Sequence, residues 1–234
     1  MRKYELTEET KTLVDGTVLH RIRALLDIPR HGVKAGELGG WIETENNLSQ
    51  DGDAWIFDDA CVSDDARVSG DATVSDDAWI FGDATVSGDA RVYGNACVFG
   101  DARVSGDAKV FGDATVSGDA RVYGNACVFG DATVSGNAWV SGDAKVSGDA
   151  TVSGDARVYG NADYMVFKNI WSSGRWFTYT RSNKMWKVGC FYGKGEELVK
   201  KAYADSELSG RCYEAIVRAV ETIEAAKAEV EETE

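Results

Sequence analysis

Residues 82–93 read Gly-Asp-Ala-Thr-Val-Ser-Gly-Asp-Ala-Arg-Val-Tyr, which is two copies of one six-residue unit. Eighteen such units follow one another from Gly52 to Tyr159 without an insertion. Each unit has Gly or Asp first, Asp or Asn second, Ala third, a variable residue fourth, Val or Ile fifth, and Ser, Phe or Tyr sixth. A short fixed period is typical of a solenoid, because one unit can bury its apolar side only against the neighbouring turns.

The Ala-variable-Val segment of each unit alternates as a β-strand does. Ala and Val are therefore expected to point inward and the variable residue outward, and the small Ala indicates a narrow interior. The first position, mostly Gly, suits a corner with a positive φ, and the Asp or Asn after it can bond the backbone of its own turn. The units are expected to coil and to stack about 4.8 Å apart.

The spacing resembles that of the hexapeptide-repeat, left-handed β-helix family, in which an aliphatic residue is followed four positions later by a small one. Val68 with Ala72, and Val104 with Ala108, fit this rule. The resemblance implies three units per coil, hence about six triangular coils over roughly 29 Å. We expect a mainly β protein, a single-stranded left-handed parallel β-helix over residues 52–162. A small N-terminal β cap would occupy 1–51, and a C-terminal α+β module would occupy 163–234.

With three units per coil, residues 18 apart fall on the same face. The aromatic face collects Trp55, Phe57, Tyr93, Phe111 and Phe129. The threonine face stacks Thr115, Thr133 and Thr151 beside Ser117, Ser135 and Ser153, and the arginine face gathers Arg67, Arg103, Arg121 and Arg157. The aromatic face is the candidate interface, because a contiguous exposed apolar patch marks contact with another chain. The alternative is a scatter of exposed aromatic residues, which is common.

The first 51 residues are expected to form strands at 4–6, 12–14, 17–24 and 36–42. Within them, Val33 to Glu43 and Asn47 to Gln50 resemble the N-terminal region of uncharacterised hexapeptide-repeat proteins of bacteria and their phages. Some of those proteins carry an acyltransferase label. Together with the repeats, the resemblance covers about the first 160 residues.

After residue 162 the period is lost, and strands at 164–171, 174–180 and 185–192 predict a three-stranded antiparallel sheet, followed by helices at 196–204 and 209–230. This part resembles C-terminal modules of phage-encoded proteins. Its aromatic and basic residues form the candidate C-terminal binding surface: Trp171, Arg175, Trp176, Tyr179, Arg181, Trp186 and Lys187. They could bind a single-stranded nucleic acid or a nucleotide by stacking and charge. The favoured alternative is that alternate aromatic residues pack on the two helices.

Acyltransferases of the resembled family use a histidine base beside a coenzyme A cleft, often with a loop extruded from the coil. The only histidines here are His20 and His31, both before the repeats, and no unit carries an insertion. The zinc-dependent carbonic anhydrases of the same fold need three histidine ligands. We therefore predict no enzyme, with no catalytic residue, metal site or cofactor, and we expect His31 on a surface loop.

The formal net charge is −14, and the repeats carry most of it. Such a field opposes binding of nucleic acid or an anionic membrane at the solenoid and favours a basic protein partner. No segment is apolar enough for a signal sequence or a membrane span, and the five cysteines are too scattered for a disulfide framework. We expect a cytoplasmic protein, in the bacterial host cell if it is phage-encoded.

Three functional hypotheses fit this sequence. The first is a non-catalytic scaffold or interaction protein, phage-encoded, whose acidic β-helix displays the C-terminal module and forms a homo-oligomer through the aromatic face. The second is an acidic mimic of DNA that sequesters a host defence protein. The third is a hexapeptide acyltransferase, which the resemblance implies and the missing histidine base opposes.

Overall fold

The computed structural model describes residues 2–171 and 173–231. The N-terminal segment forms β1 (Tyr4–Thr12), β2 (Val18–Ala24) and β3 (Leu38–Ile42), with 3-10 turns at Pro29–His31 and Glu45–Asn47. The repeats form the short strands β4 (Trp55–Ile56), β5 (Cys61–Val62), β6 (Arg67–Val68), β7 (Thr73–Val74), β8 (Trp79–Ile80), β9 (Thr85–Val86), β10 (Arg91–Gly94), β11 (Cys97–Val98), β12 (Arg103–Val104), β13 (Lys109–Gly112), β14 (Thr115–Val116), β15 (Arg121–Val122), β16 (Cys127–Gly130), β17 (Thr133–Val134), β18 (Trp139–Val140), β19 (Lys145–Val146), β20 (Thr151–Val152) and β21 (Arg157–Val158). After a 3-10 turn at Asn161–Asp163 come β22 (Tyr164–Lys168), β23 (Trp176–Thr180), β24 (Met185–Val188), β25 (Phe191–Gly193), α1 (Gly195–Asp205) and α2 (Glu207–Glu231).

The repeats wind into a parallel β-solenoid with three faces, as the period predicts. Every third strand pairs in parallel, so that Val92, for example, lies beside Val110 in the next coil, 18 residues on. The orders are β4-β7-β10-β13-β16-β19 on the aromatic face, β5-β8-β11-β14-β17-β20 on the threonine face and β6-β9-β12-β15-β18-β21 on the arginine face. The left hand of the coil stays a prediction.

The eighteen repeats form the six coils expected, and one further turn precedes them, so the solenoid has about seven turns. Strand β3 pairs in parallel with β5, placing Trp41 beside Cys61, and Leu48 forms a parallel bridge with Val68. Gly40 occupies the place of the repeat Ala, and a Cβ there would lie 2.5 Å from Ile56 Cγ2. The first turn therefore lies outside the six-residue frame, and it uses Gly40 where the later turns use Ala.

The interior consists of two columns, Ala and Val or Ile, and every repeat Ala is fully buried. Successive coils also approach each other closely at the corners, where backbone lies against backbone. Gly106 has φ +70°, and a Cβ on it would lie 3.0 Å from the backbone N of Gly124 in the next coil. Asp64 and Asp76 stand in for Gly at two corners with φ of 54° and 58°. Their carboxylates accept hydrogen bonds of 2.9 Å from the N–H groups of Gly82 and Gly94, which helps to hold this conformation.

The N-terminal segment closes the first turns by donating hydrogen bonds to open carbonyl groups. Inside the solenoid each repeat Ala carbonyl accepts from the preceding coil, as Ala72 does from Trp55 N at 3.0 Å. At the open end Lys3 Nζ donates to Ala54 O at 2.9 Å, and Asn47 Nδ2 donates to Ala66 O at 2.9 Å. Lys3 is buried, and this burial lowers the pKa of its ammonium group to about 8, partly offset by the Asp53 charge.

The C-terminal module closes the opposite end of all three faces. In the last coil the N–H groups at the variable positions have no following coil to donate to. Side chains that follow the repeats accept from them instead: Lys145 N donates to Asn161 Oδ1, in the turn before the module, at 2.8 Å, and within the module Thr178 Oγ1 accepts from Thr151 N at 2.9 Å and Ser182 Oγ from Arg157 N at 2.6 Å. The module therefore protects strand edges that would otherwise pair with other chains.

The C-terminal sheet has four antiparallel strands in the order β22-β23-β24-β25, so the expectation of three strands is wrong. The predicted third strand is divided at Gly189, which has φ +54°. Val188 and Phe191 then face each other across a tight hairpin. One face of this sheet, including Phe177 and Trp186, packs on α1 and α2; the other lies on the end of the solenoid.

We predict that Thr178→Val loosens the end of the solenoid. Thr178 is 2% exposed, and valine keeps its shape but cannot accept the hydrogen bond from Thr151 N. An unsatisfied buried donor costs about 1–3 kcal/mol, so the Thr151 amide should exchange faster with solvent and the melting temperature should fall. Thr133→Val is the matched control, because the N–H of Thr133 donates to Ala150 O. Unchanged Thr151 exchange in Thr178→Val would show that this contact does not close the edge.

Candidate functional site: the ring ladder and the Arg30 loop

Three aromatic rings form a stack on the aromatic face, which we call the ring ladder: Tyr93, Phe111 and Phe129. The centroids of Tyr93 and Phe111 are 4.8 Å apart with an interplanar angle of 1°, and those of Phe111 and Phe129 are 5.0 Å apart with an angle of 3°. The spacing is that of adjacent strands, because the residues are in register on β10, β13 and β16. Each ring is half-buried, so one side of the ladder remains open to a partner.

Trp55 and Phe57 lie on the same face but are covered by the chain itself. Trp55 is fully buried and meets Tyr4 edge-to-face at 6.4 Å. Phe57 packs against His31, also edge-to-face at 6.4 Å. The inclusion of Trp55 in an exposed interface is therefore wrong, because the N-terminal segment covers it, and the candidate interface reduces to the ring ladder.

The 3-10 turn Pro29–His31 covers Phe57. The sequence did not predict that this turn lies on the aromatic face. Arg30 pairs with Asp71 Oδ2 at 3.2 Å and also pairs with Asp89, so one guanidinium group bridges aspartates of adjacent coils. These aspartates are 18 residues apart, which is the signal that could have suggested such a bridge. This turn, Pro29–His31, which we call the Arg30 loop, therefore lies on the aromatic face just before the ring ladder begins.

His31 packs on the solenoid through its ring and is not a freely exposed loop residue. Its Nε2 atom is buried and has no hydrogen-bond partner within the described chain. Burial lowers the pKa of His31 from its usual value, although the Asp53 charge acts in the opposite direction. A neutral imidazole can accept a proton, but the Nε2 atom of His31 is buried and its ring packs on Phe57.

A cavity of about 450 Å³ runs from Arg30 along the aromatic face. Its lining combines three cations, two aspartates, an amide and a thiol: Arg30, Arg91, Lys109, Asp89, Asp107, Asn125 and Cys127. Cys127 Sγ lies 3.7 Å from the carbonyl of Asn125, and no histidine is among the lining residues. The cavity can therefore hold a polar group by charge, but it offers the thiol no imidazole base.

The other two faces have the columns expected from the period. Thr115, Thr133 and Thr151 are in register on the threonine face. On the arginine face the Trp139 ring lies between the guanidinium groups of Arg121, at 5.1 Å, and Arg157, at 4.9 Å. Sequence reasoning missed a second stack, Phe81 on Phe99 at 4.8 Å, although these two residues are also 18 apart.

The acidic charge is concentrated on the threonine face. The six units of this face contain no Lys or Arg, and their aspartates are Asp58, Asp59, Asp76, Asp77, Asp113, Asp131 and Asp149. The aromatic face instead mixes signs, with Arg91, Lys109 and Lys145 among its aspartates. The hypotheses of a basic partner and of a DNA mimic, made for the whole acidic solenoid, stay predictions.

The residues of the candidate C-terminal binding surface do not share one exposed face. Tyr179 and Trp186 are 5% and 2% exposed and belong to the core beneath the helices. Trp171 packs between Phe177 and Tyr213. The basic members are separated as well. Arg181 pairs with Glu224 at 2.9 Å. Arg175, Lys187 and Trp176 are at least partly exposed to solvent at other places on the module. The packing of Tyr179 and Trp186 matches the alternative favoured from the sequence.

Neither a metal cluster nor a membrane span is found in the described residues. Residues 2–171 and 173–231 contain no group of three or more His, Cys, Asp or Glu side chains able to hold a metal ion. Among the same residues, no helix is long and apolar enough to cross a bilayer.

The fold and the repeat sequence define a β-solenoid repeat protein. A family model described as YdcK Beta solenoid repeat matches residues 66–80, 78–94, 90–106, 108–124, 126–142 and 144–160. A curated relative from Escherichia coli strain K12, named "Uncharacterized acetyltransferase YdcK", is 40% identical over 70 residues. The aligned part is 27% of this chain and 21% of the relative, so the chain spans about a fifth of that relative's length. The likeness of the C-terminal module to phage proteins stays a prediction.

Proposed function

We propose that this protein is a non-catalytic interaction protein of the cytoplasm that assembles with a second copy of itself through the ring ladder. The observation that carries the proposal is the position of the ladder. Phe57 of the same face is covered by His31 of the Arg30 loop, whereas Tyr93, Phe111 and Phe129 keep one side open. A stack of rings on a rigid solenoid presents a preformed apolar strip, which loses little conformational entropy when it is covered.

The charge distribution supports a second copy as the occupant. Two threonine faces would repel each other, because their units carry aspartates and no cation. The aromatic face brings Arg91 and Lys109 close to Asp89 and Asp107, so two copies can oppose unlike charges around the rings. The capped ends also favour contact along a side of the solenoid, because side chains such as Lys3, Asn47, Thr178 and Ser182 already bond the open backbone groups of the end coils.

We predict that Phe111→Ser/Phe129→Ser shifts the full-length protein to a smaller species in solution. Removing two of the three rings leaves the interface without its apolar centre, where truncation of an anchor residue costs about 2 kcal/mol or more. The dissociation constant for assembly should therefore rise at least tenfold. Sedimentation velocity over a range of protein concentrations measures this change directly.

The matched control for this experiment is Phe81→Ser/Phe99→Ser, which removes an equivalent stacked pair from the threonine face. This variant should assemble as the unmodified protein does. A monomeric unmodified protein at high micromolar concentration would contradict the proposal. So would an equal loss of assembly in both double variants, since that would report general destabilisation.

Acetyl transfer is the second candidate, because the similar Escherichia coli protein is named an acetyltransferase. The alignment with that relative covers 27% of this chain, and the cavity beside Arg30 has no histidine in its lining. We predict no saturable binding of acetyl-coenzyme A in isothermal titration calorimetry of the assembled protein. Saturable micromolar binding that Lys109→Ala weakens, while Lys145→Ala does not, would favour the enzyme instead.

A further inference from the structure

Helix α2 carries an apolar stripe that does not face the sheet of its own module. The residues of α2 that pack into the core beneath it are Tyr213, Val217 and Val220. A second apolar set runs along the helix roughly 110° around its axis from the first. We call this set the α2 stripe: Cys212, Ile216, Ala219, Ile223, Ala226 and Val230. Its alternating steps of four and three residues are the spacing by which one helix packs along another.

Most of the α2 stripe is open to solvent. Ile223 is 47% exposed and Val230 is 57% exposed, and Ala219 and Ala226 are exposed as well. Ile216 lies at the border of the stripe, half-buried against the core of the module. Large apolar side chains aligned on one exposed side of an element mark a contact surface.

The second half of α2 extends past the part of the module that supports the first half. Glu224 still pairs with Arg181 of the sheet region at 2.9 Å. Beyond it, every residue from 225 to 230 except Lys227 is exposed. A helix gains most of its stability from packing of its apolar side, and within the described residues of one copy this end has little to pack on.

We propose that α2 pairs with α2 of a second copy in the opposite direction, with the two stripes in contact. This contact is separate from the ring ladder, so a copy that uses both can join two others. Pairing about Glu221 gives three kinds of layer: Cys212 with Val230, Ile216 with Ala226, and Ala219 with Ile223. Each layer combines a larger side chain with a smaller one, which lets the helices interdigitate closely.

A parallel pair of the same helices fits less well. Identical residues would then face each other, so that Ile layers alternate with Ala layers. Two Ala methyl groups leave a gap at the helix separation that two Ile side chains impose, and the contacts across that gap are lost. The stripe is therefore complementary to itself only when one copy is reversed, which favours a second copy of this chain as the occupant.

The charges of α2 favour the same orientation. Residues 207–218 contain two Arg and two Glu, whereas residues 219–230 contain three Glu and one Lys. A parallel pair would set the two acidic halves against each other. The antiparallel pair sets each acidic half beside a neutral half and opposes the two helix dipoles.

The orientation is tested with a pair of cysteines. Val230→Cys puts a second thiol opposite Cys212 of the other copy, close enough for a disulfide. Mild oxidation of the full-length protein at low micromolar concentration should give a covalent dimer, in which peptide mapping finds position 212 joined to position 230. In the control Val230→Cys/Cys212→Ser, the two positions 230 of an antiparallel pair lie about 27 Å apart and should not be joined. A bond between them, or no bond between 212 and 230 in the first variant, would overturn the proposal.

The strength of the contact is tested in Phe111→Ser/Phe129→Ser, in which the ring ladder no longer contributes. This double variant should still form a dimer in sedimentation equilibrium. Adding Ile223→Glu should raise the dissociation constant at least tenfold, because a charge would be buried opposite Ala219. Adding Ala225→Glu instead, at an exposed position away from the stripe, is the matched control and should leave the constant unchanged.

The two contacts fail in different ways. Equal dissociation constants after the two additions, or a double variant that is monomeric at high micromolar concentration, would overturn the pairing of α2. A monomeric double variant obtained from an assembled unmodified protein would still support the ring ladder. Assembly that is the same in the unmodified protein and the double variant would contradict the ring ladder and support α2.

Discussion

The structure depends on how closely successive coils can approach. Adjacent strands of one face are spaced for backbone hydrogen bonds; the Ala column of the interior leaves no space for a larger side chain, and the corners where Gly stacks on Gly leave little space for a Cβ. Ala is fully buried in every repeat, and a Cβ on Gly106 would contact the backbone of Gly124 at 3.0 Å. Because this close contact keeps each coil from shifting relative to the next, paired residues stay 18 apart from the first repeat to the last. Each face therefore takes its rings and cations from the variable and sixth positions, and its acidic charge from the first two positions.

The same hydrogen bonding creates two open ends, and the flanking segments are built around them. Lys3 and Asn47 supply donors to Ala carbonyl groups at the start. Thr178 and Ser182 supply acceptors to N–H groups at the end. The C-terminal module is thus a cap as well as a separate sheet and helix unit, and its sheet is covered on both faces. This placement explains why its aromatic residues do not form an exposed binding surface.

The period was enough to predict the solenoid and the alignment of Tyr93, Phe111 and Phe129, since a repeat fixes which residues share a face. It could not predict features formed by segments without a period. The burial of Trp55 depends on Tyr4, and the packing of His31 depends on where the Arg30 loop lies. The seventh turn was missed because Gly40 takes the place of Ala outside the frame, and the fourth C-terminal strand was missed because a single Gly189 divides one apolar run.

The close stacking of the coils is tested most directly by comparing Gly106→Ala with Gly148→Ala in urea unfolding. Both glycines have a positive φ, 70° and 63°, but a Cβ on Gly148 would meet nothing within 4 Å. We predict that both variants lose about 1 kcal/mol from the left-handed conformation, and that Gly106→Ala loses about 1–3 kcal/mol more from overpacking. Equal losses of the free energy of unfolding would contradict the account, because they would mean that the corner stack can widen without cost.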